Sequence, residues 1–167
     1  EEGVKKFLDN IGKDNIFWRK PLDFKMEGNV KVFEITCQQI DWEVEPGKKI
    51  RAMTYNGLVP GPEIRITEGD TVRVGCKNEM TESTSIHFHG VLVPNKFDGV
   101  PYVTQPPITP GSTFTYEFVA RNPGSHMYHS HHNAAEQVTK GLMGAFIIEP
   151  KDKSKDPAYD KEYVMVL

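Results

Sequence analysis

From residue 30 onward, apolar and polar residues alternate with a period of two, the spacing at which a β-strand turns one face to a core and the other to solvent. The pattern predicts strands over residues 31–37, 39–44, 50–55, 63–66, 71–76, 84–89, 112–119, 126–129 and 145–148. These runs are rich in Val, Ile, Thr, Phe and Tyr. Turn sequences punctuate them, among them Glu45-Pro46-Gly47, Asn56-Gly57, Pro60-Gly61-Pro62, Glu68-Gly69-Asp70, Pro110-Gly111 and Asn122-Pro123-Gly124. Many short strands with almost no helix predict an all-β fold, an antiparallel β-sandwich. Within this region short helical turns are expected in the loop 133–140.

The two ends depart from this period. Val4, Phe7, Leu8 and Ile11 recur at helical spacing and Gly12 can stop the turn, which predicts a short amphipathic helix. An irregular stretch through Trp18, Pro21 and Gly28 follows. At the other end, residues 151–160 are charged and contain Pro157, as in a linker. Tyr163-Val164-Met165-Val166-Leu167 then reads either as the start of a further strand or as the last strand of the same domain. The predicted organisation is an N-terminal extension over 1–28, one β domain over 29–150, and a linker with the start of the next segment over 151–167.

The 167-residue chain is long enough to bury a core, and its formal net charge of −3 offers no basic field for nucleic acid or anionic lipid. No apolar run is long enough to span a membrane. The chain opens on Glu1-Glu2 rather than Met, as expected of a processed form. Its two cysteines, Cys37 and Cys76, share no Cys-x-x-Cys spacing and alternate with apolar neighbours, so they read as inward-facing core thiols. A disulfide between them stays open at this stage.

Candidate chemistry is concentrated in one region. All six histidines lie between His87 and His132, and four form two pairs, His87-Phe88-His89 and His129-Ser130-His131. Residues i and i+2 of a strand share a face with Cα atoms about 6.6 Å apart. Each pair can therefore present two imidazoles to neighbouring metal ions or to a single ion. Phe88 and Ser130 must face the other way, and Gly90 lets the chain turn off without a side chain beside the metal. Imidazole suits copper, zinc, nickel and iron. The absence of thiolate disfavours a structural zinc site, and copper(II) stands highest in the divalent affinity series. A mononuclear four-histidine site remains an alternative on these residues alone.

The surrounding residues carry a resemblance. Pro60-Gly61-Pro62-Glu63-Ile64, Glu68-Gly69-Asp70-Thr71-Val72, Ser85-Ile86-His87-Phe88-His89-Gly90, Asp98-Gly99-Val100-Pro101, Thr104-Gln105, Tyr128-His129-Ser130-His131 and Gly141-Leu142-Met143-Gly144-Ala145-Phe146 occur in order along residues 30–150. Together they resemble the first domain of multicopper oxidases, the laccase family. The resemblance implies a cupredoxin-like Greek-key β-sandwich. It also implies half of a three-copper cluster that reduces dioxygen to water. His87 and His89 correspond to ligands of the type 2 copper and one type 3 copper, and His129 and His131 to one ligand of each type 3 copper. Asp98 corresponds to a carboxylate near the type 2 copper that assists proton delivery, although by itself Asp-Gly is also a common turn pair.

In that family the other ligands, the type 1 copper and its His-Cys-His motif lie in a second cupredoxin domain of the same chain or of another subunit. The present sequence has no His-Cys-His, and Ser130 stands between His129 and His131. The resemblance therefore implies no type 1 copper in this chain, no turnover without a partner domain, and an extracytoplasmic location. Ser130 also sets the chain apart from copper nitrite reductases, whose first domain carries a blue-copper cysteine beside the second-motif histidine.

Other metal proteins fit less well. A copper–zinc superoxide dismutase needs a bridging histidine soon after its first pair, yet none occurs between His89 and His126, and a cupin needs a Glu shortly after His89. A copper sequestration or delivery module is the remaining alternative. His126, by alternation opposite to His129, reads as a surface or interdomain residue, and His132 as a solvated loop residue. The loop from His131 to Gly141 is slightly longer than in fungal laccases, so no family role is carried over to Gln137.

Overall fold

A computed structural model describes residues 21–166; the helix expected around Val4–Ile11 and the stretch at Trp18 lie outside that range. Among the described residues nine strands run in the order β1 (Lys25–Glu27), β2 (Val30–Glu45), β3 (Lys48–Tyr55), β4 (Gly61–Thr67), β5 (Thr71–Asn78), β6 (His87–His89), β7 (Thr113–Val119), β8 (Gly124–His129) and β9 (Met143–Glu149). One short helix, α1 (Ala134–Thr139), sits between β8 and β9, where helical turns were expected. No described helix is long and apolar enough to cross a membrane.

The strands form two sheets. In the first, β1, β2, β5 and β7 are neighbours in that order, and β3 pairs with the distal part of β2. The second has the order β4-β9-β8-β6. From β3 to β8, successive strands alternate between the sheets. The sandwich forms as expected, but not all of its pairings are antiparallel: β2 pairs β5 and β4 pairs β9 in parallel. Parallel neighbours need a crossover rather than a hairpin, and excursions through the opposite sheet supply it.

Alternation holds the layers together. Phe33, Ile35 and Cys37 of β2, Val72, Val74 and Cys76 of β5, and Tyr116 and Phe118 of β7 face Ile64 and Ile66 of β4, Phe88 of β6, Tyr128 of β8 and Phe146 of β9 across one core. Phe88 is fully buried, with its ring centroid 5.0 Å from Phe118, 5.3 Å from Tyr116 and 5.5 Å from Phe146. Burying a side chain of this size contributes roughly 1.5–3 kcal/mol. The Tyr128 hydroxyl donates to the Pro62 carbonyl at 2.6 Å, which ties β8 to the start of β4.

Four local expectations are revised. The strands expected over 31–37 and 39–44 are one continuous strand, β2, because its two halves pair with different neighbours. Lys25–Glu27, expected to be irregular, forms a ladder with Val30–Val32. The strand expected over 84–89 is only three residues long, since Thr84 bridges Ile108 instead of extending the β6–β8 ladder. The apolar residues 163–166 form no strand ladder. Cys37 and Cys76 are buried free thiols, with sulfur atoms 3.5 Å apart.

Candidate metal centre

β6 is the edge strand of the second sheet, and its pairing with β8 sets the site. His87 lies opposite His129, Phe88 opposite Tyr128 and His89 opposite Met127. Phe88 and Tyr128 enter the core, so His87, His89 and His129 must project from the outer face of the sheet. One potential ligand nitrogen from each of these three imidazoles lies within 4.8 Å of the others. His89 Nδ1 is 3.2 Å from His129 Nε2. His131, just beyond the end of β8, places its ring centroid 5.4 Å from that of His87 and 6.3 Å from that of His129, stacked on the latter at 24°. The four paired histidines thus converge, drawn from segments about forty residues apart.

Two of the rings are oriented by carbonyls. His87 Nδ1 donates to the Asp98 carbonyl oxygen at 2.5 Å, and His129 Nδ1 donates to the Ser130 carbonyl at 2.8 Å. A carbonyl oxygen can only accept, so the proton of each neutral ring is on Nδ1 and Nε2 carries the lone pair that could bind a metal; at His129 that nitrogen faces His89 Nδ1 at 3.2 Å. Burial pushes the His129 imidazole below the ordinary histidine range. Its bond to Ser130 opposes that shift, and the charges of His87, His89 and His131 add to it. The result favours the neutral, ligating form. Three or four imidazole nitrogens with no thiolate form a donor set that fits copper.

Asp98 is at the site, although its nearest approach is through the backbone. Its carboxylate Oδ1 is 3.6 Å from His87 Nδ1, farther than its own carbonyl. Gly99 makes the approach possible: with φ at +82°, it presses its backbone against β6, where a Cβ would lie 1.8 Å from the Ile86 carbonyl oxygen. At Gly90, φ is +80° and a Cβ would meet His126 Nδ1 at 3.1 Å. This glycine therefore makes room for His126.

The two remaining histidines lie apart from the four. His126 is half-buried, with Nε2 2.9 Å from the Asn122 carbonyl. His132 is not the solvated residue expected: its Nδ1 is buried, and its ring lies 6.4 Å from Tyr102. The loop 131–141 folds back through α1 and brings Gln137, fully buried, under the second histidine pair. Sequence reasoning left Gln137 without a role. Among the residues of α1 it is the buried one, and a polar residue at a buried helical position leaves no signal in a pattern of apolar spacing.

The comparisons agree with this geometry. The family model for multicopper oxidases matches residues 36–153. Copper resistance protein A from Escherichia coli is 41% identical over 121 residues, which is 72% of this chain and 20% of that protein. Laccase ustL from Ustilaginoidea virens is 41% identical over 122 residues, or 71% of this chain and 18% of that one. The crystal structure of a multicopper oxidase from Pseudomonas thermotolerans superposes with a TM-score of 0.73 at 38% identity, over 75% of this chain and 31% of that one. The chain spans about a fifth of the length of the curated relatives it matches. With a two-sheet β-sandwich, converging imidazoles and a family match over most of its length, this chain belongs to the multicopper oxidase family.

Proposed function

We propose that the chain supplies His87, His89, His129 and His131 to a trinuclear copper cluster that reduces dioxygen to water in a laccase-like oxidase. The other ligands and the type 1 copper would come from a second cupredoxin domain, in the same chain or another subunit. The observation that carries this reading is the convergence of three imidazole nitrogens within 4.8 Å, with the His131 ring alongside. When bound, copper supplies the redox centres at which electrons from the reducing substrate meet dioxygen. The chain's own residues have narrower tasks. Asp98 and Ser130 carbonyls hold two rings with Nε2 outward, and sheet pairing holds the first motif against the second. The Asp98 carboxylate, 37% exposed at the edge of the site, would hold a proton there for delivery during dioxygen reduction.

Half a ligand set predicts an inactive domain when isolated. The location consistent with this reading is extracytoplasmic, and its partners are dioxygen, a second cupredoxin domain and a reducing substrate. The test is a copper(II) titration of the chain by calorimetry and electron paramagnetic resonance. We expect nitrogen-ligated copper without the intense blue band of a thiolate site, and loss of binding in the His89→Ala/His129→Ala variant. Binding that survives the double substitution would refute the site. Turnover of a phenol by the isolated copper-loaded chain would refute the half-site. If copper binds but a type 1 partner domain never restores dioxygen reduction, the chain is a sequestration or delivery module instead.

A further inference from the structure

Beneath the histidines, four polar side chains (Thr84, Ser85, Ser130 and Gln137) are each fully buried. Buried polar groups are tolerated when their hydrogen bonds are satisfied, and here they are satisfied largely by one another. Gln137 is the hub. Its Oε1 accepts from Ser130 Oγ at 2.6 Å and from Thr84 Oγ1 at 2.9 Å. Its Nε2 donates to the Ser83 carbonyl at 2.8 Å and to Glu82 Oε2 at 2.9 Å. All four hydrogen-bonding positions of the amide are used. The partners of Oε1 are hydroxyls, and the partners of Nε2 can only accept, so the amide has one consistent orientation.

The partners fall into two groups. Glu82, Ser83 and Thr84 belong to the segment that runs into His87 and His89, whereas Ser130 is the residue between His129 and His131. Ser130 carries the connection onward. Its hydroxyl accepts from the His132 N–H at 3.2 Å, and its carbonyl orients the His129 ring. Ser85 adds a parallel link by accepting from the His131 N–H at 3.3 Å. We propose that Gln137 is a positioning residue for the metal centre. By binding the segment before the first His-x-His pair and the middle of the second at once, it sets the spacing between them and the orientation of His129. This inference rests on the proposed copper site only for its metal readout; the ring-orientation readout is independent of it.

The test uses the chain with 15N-labelled histidine, first copper-free and then titrated with copper(II). In the wild type, the His129 Nδ1–H bonded to Ser130 should exchange slowly with solvent. Gln137→Met replaces the amide by an apolar chain of similar length, and Ser130→Ala removes the hydroxyl that links Gln137 to the second pair, together with its bond from the His132 N–H. Both variants should lose the protected Nδ1–H signal and about 10- to 100-fold in copper affinity, the usual effect of removing a group behind a metal ligand. Thr54→Val is the control for destabilisation alone: Thr54 is fully buried and donates to the Gln38 carbonyl away from the histidines. That variant should change neither readout. If Gln137→Met does not fold, Ser130→Ala decides. Variants that keep the wild-type signal and affinity overturn the proposal, as does an equal loss in Thr54→Val. A wild-type chain that binds no copper would refute the copper reading, while the Nδ1–H signal would still decide the role of Gln137.

Discussion

His87 meets Asp98 through the backbone: its Nδ1 lies 2.5 Å from the Asp98 carbonyl oxygen and 3.6 Å from the nearer carboxylate oxygen. The ring is therefore held by an atom that no substitution at residue 98 removes. The carboxylate is not what orients the ring, which leaves it for the proton transfer proposed above.

The two roles separate by mutation. Asp98→Asn should keep the carbonyl bond and leave copper affinity within a few-fold of wild type. Gly99→Ala should push the loop off Ile86, because the new Cβ overlaps a backbone oxygen and φ lies in the left-handed region. We expect a loss of copper affinity of about 10- to 100-fold and a stability loss of more than about 1 kcal/mol, read by calorimetry and urea denaturation. A larger affinity loss in Asp98→Asn than in Gly99→Ala would contradict this division.

His129 predicts a pH dependence of the metal-free chain. Burial lowers its pKa in the folded state, so as the pH falls the unfolded chain, near the ordinary 6.5, takes up a proton before the folded chain does. The associated stability is full above that value and is lost as the pH falls through the depressed folded value. Urea midpoints should therefore drop as the pH falls below about 6.5, and His129→Gln should flatten the drop. Copper binding should persist to lower pH at His129 than at an ordinary histidine, because ligation needs the neutral ring.

Phe88 links the core to the site, since its neighbours on both sides are histidines and its own ring sits among three aromatic rings. Phe88→Ala should cost about 3–5 kcal/mol and weaken copper binding by loosening β6. Phe88→Leu should recover most of the stability. Equal copper affinity in wild type and Phe88→Ala would show that β6 is held by other contacts.

Cys37 and Cys76 should behave as inert core thiols. The hydrogen bond to Cys76 and burial both push the Cys37 thiol up, away from the reactive thiolate. Neither should react with an aqueous thiol reagent in the folded chain, and both should react in denaturant. Rapid labelling of the native protein would show that the core opens at β2 and β5.

Much of this was legible in the chain itself. A period of two assigned Phe33, Ile35 and Cys37 to the core, and the same period put His87 and His89 on one face with Phe88 on the other. Those are local consequences of strand geometry, so the sequence by itself determined the sandwich, the two His-x-His pairs and the family resemblance. It did not determine the parallel pairings of β2 with β5 and β4 with β9, nor the register that sets His87 opposite His129. It was equally silent on the carbonyl at Asp98 and on the amide of Gln137 under the second pair. Each of these depends on segments far apart in the chain meeting in one place, and no local spacing encodes which distant strand or loop becomes the neighbour. Only the tertiary structure brought the rings of the four paired histidines together.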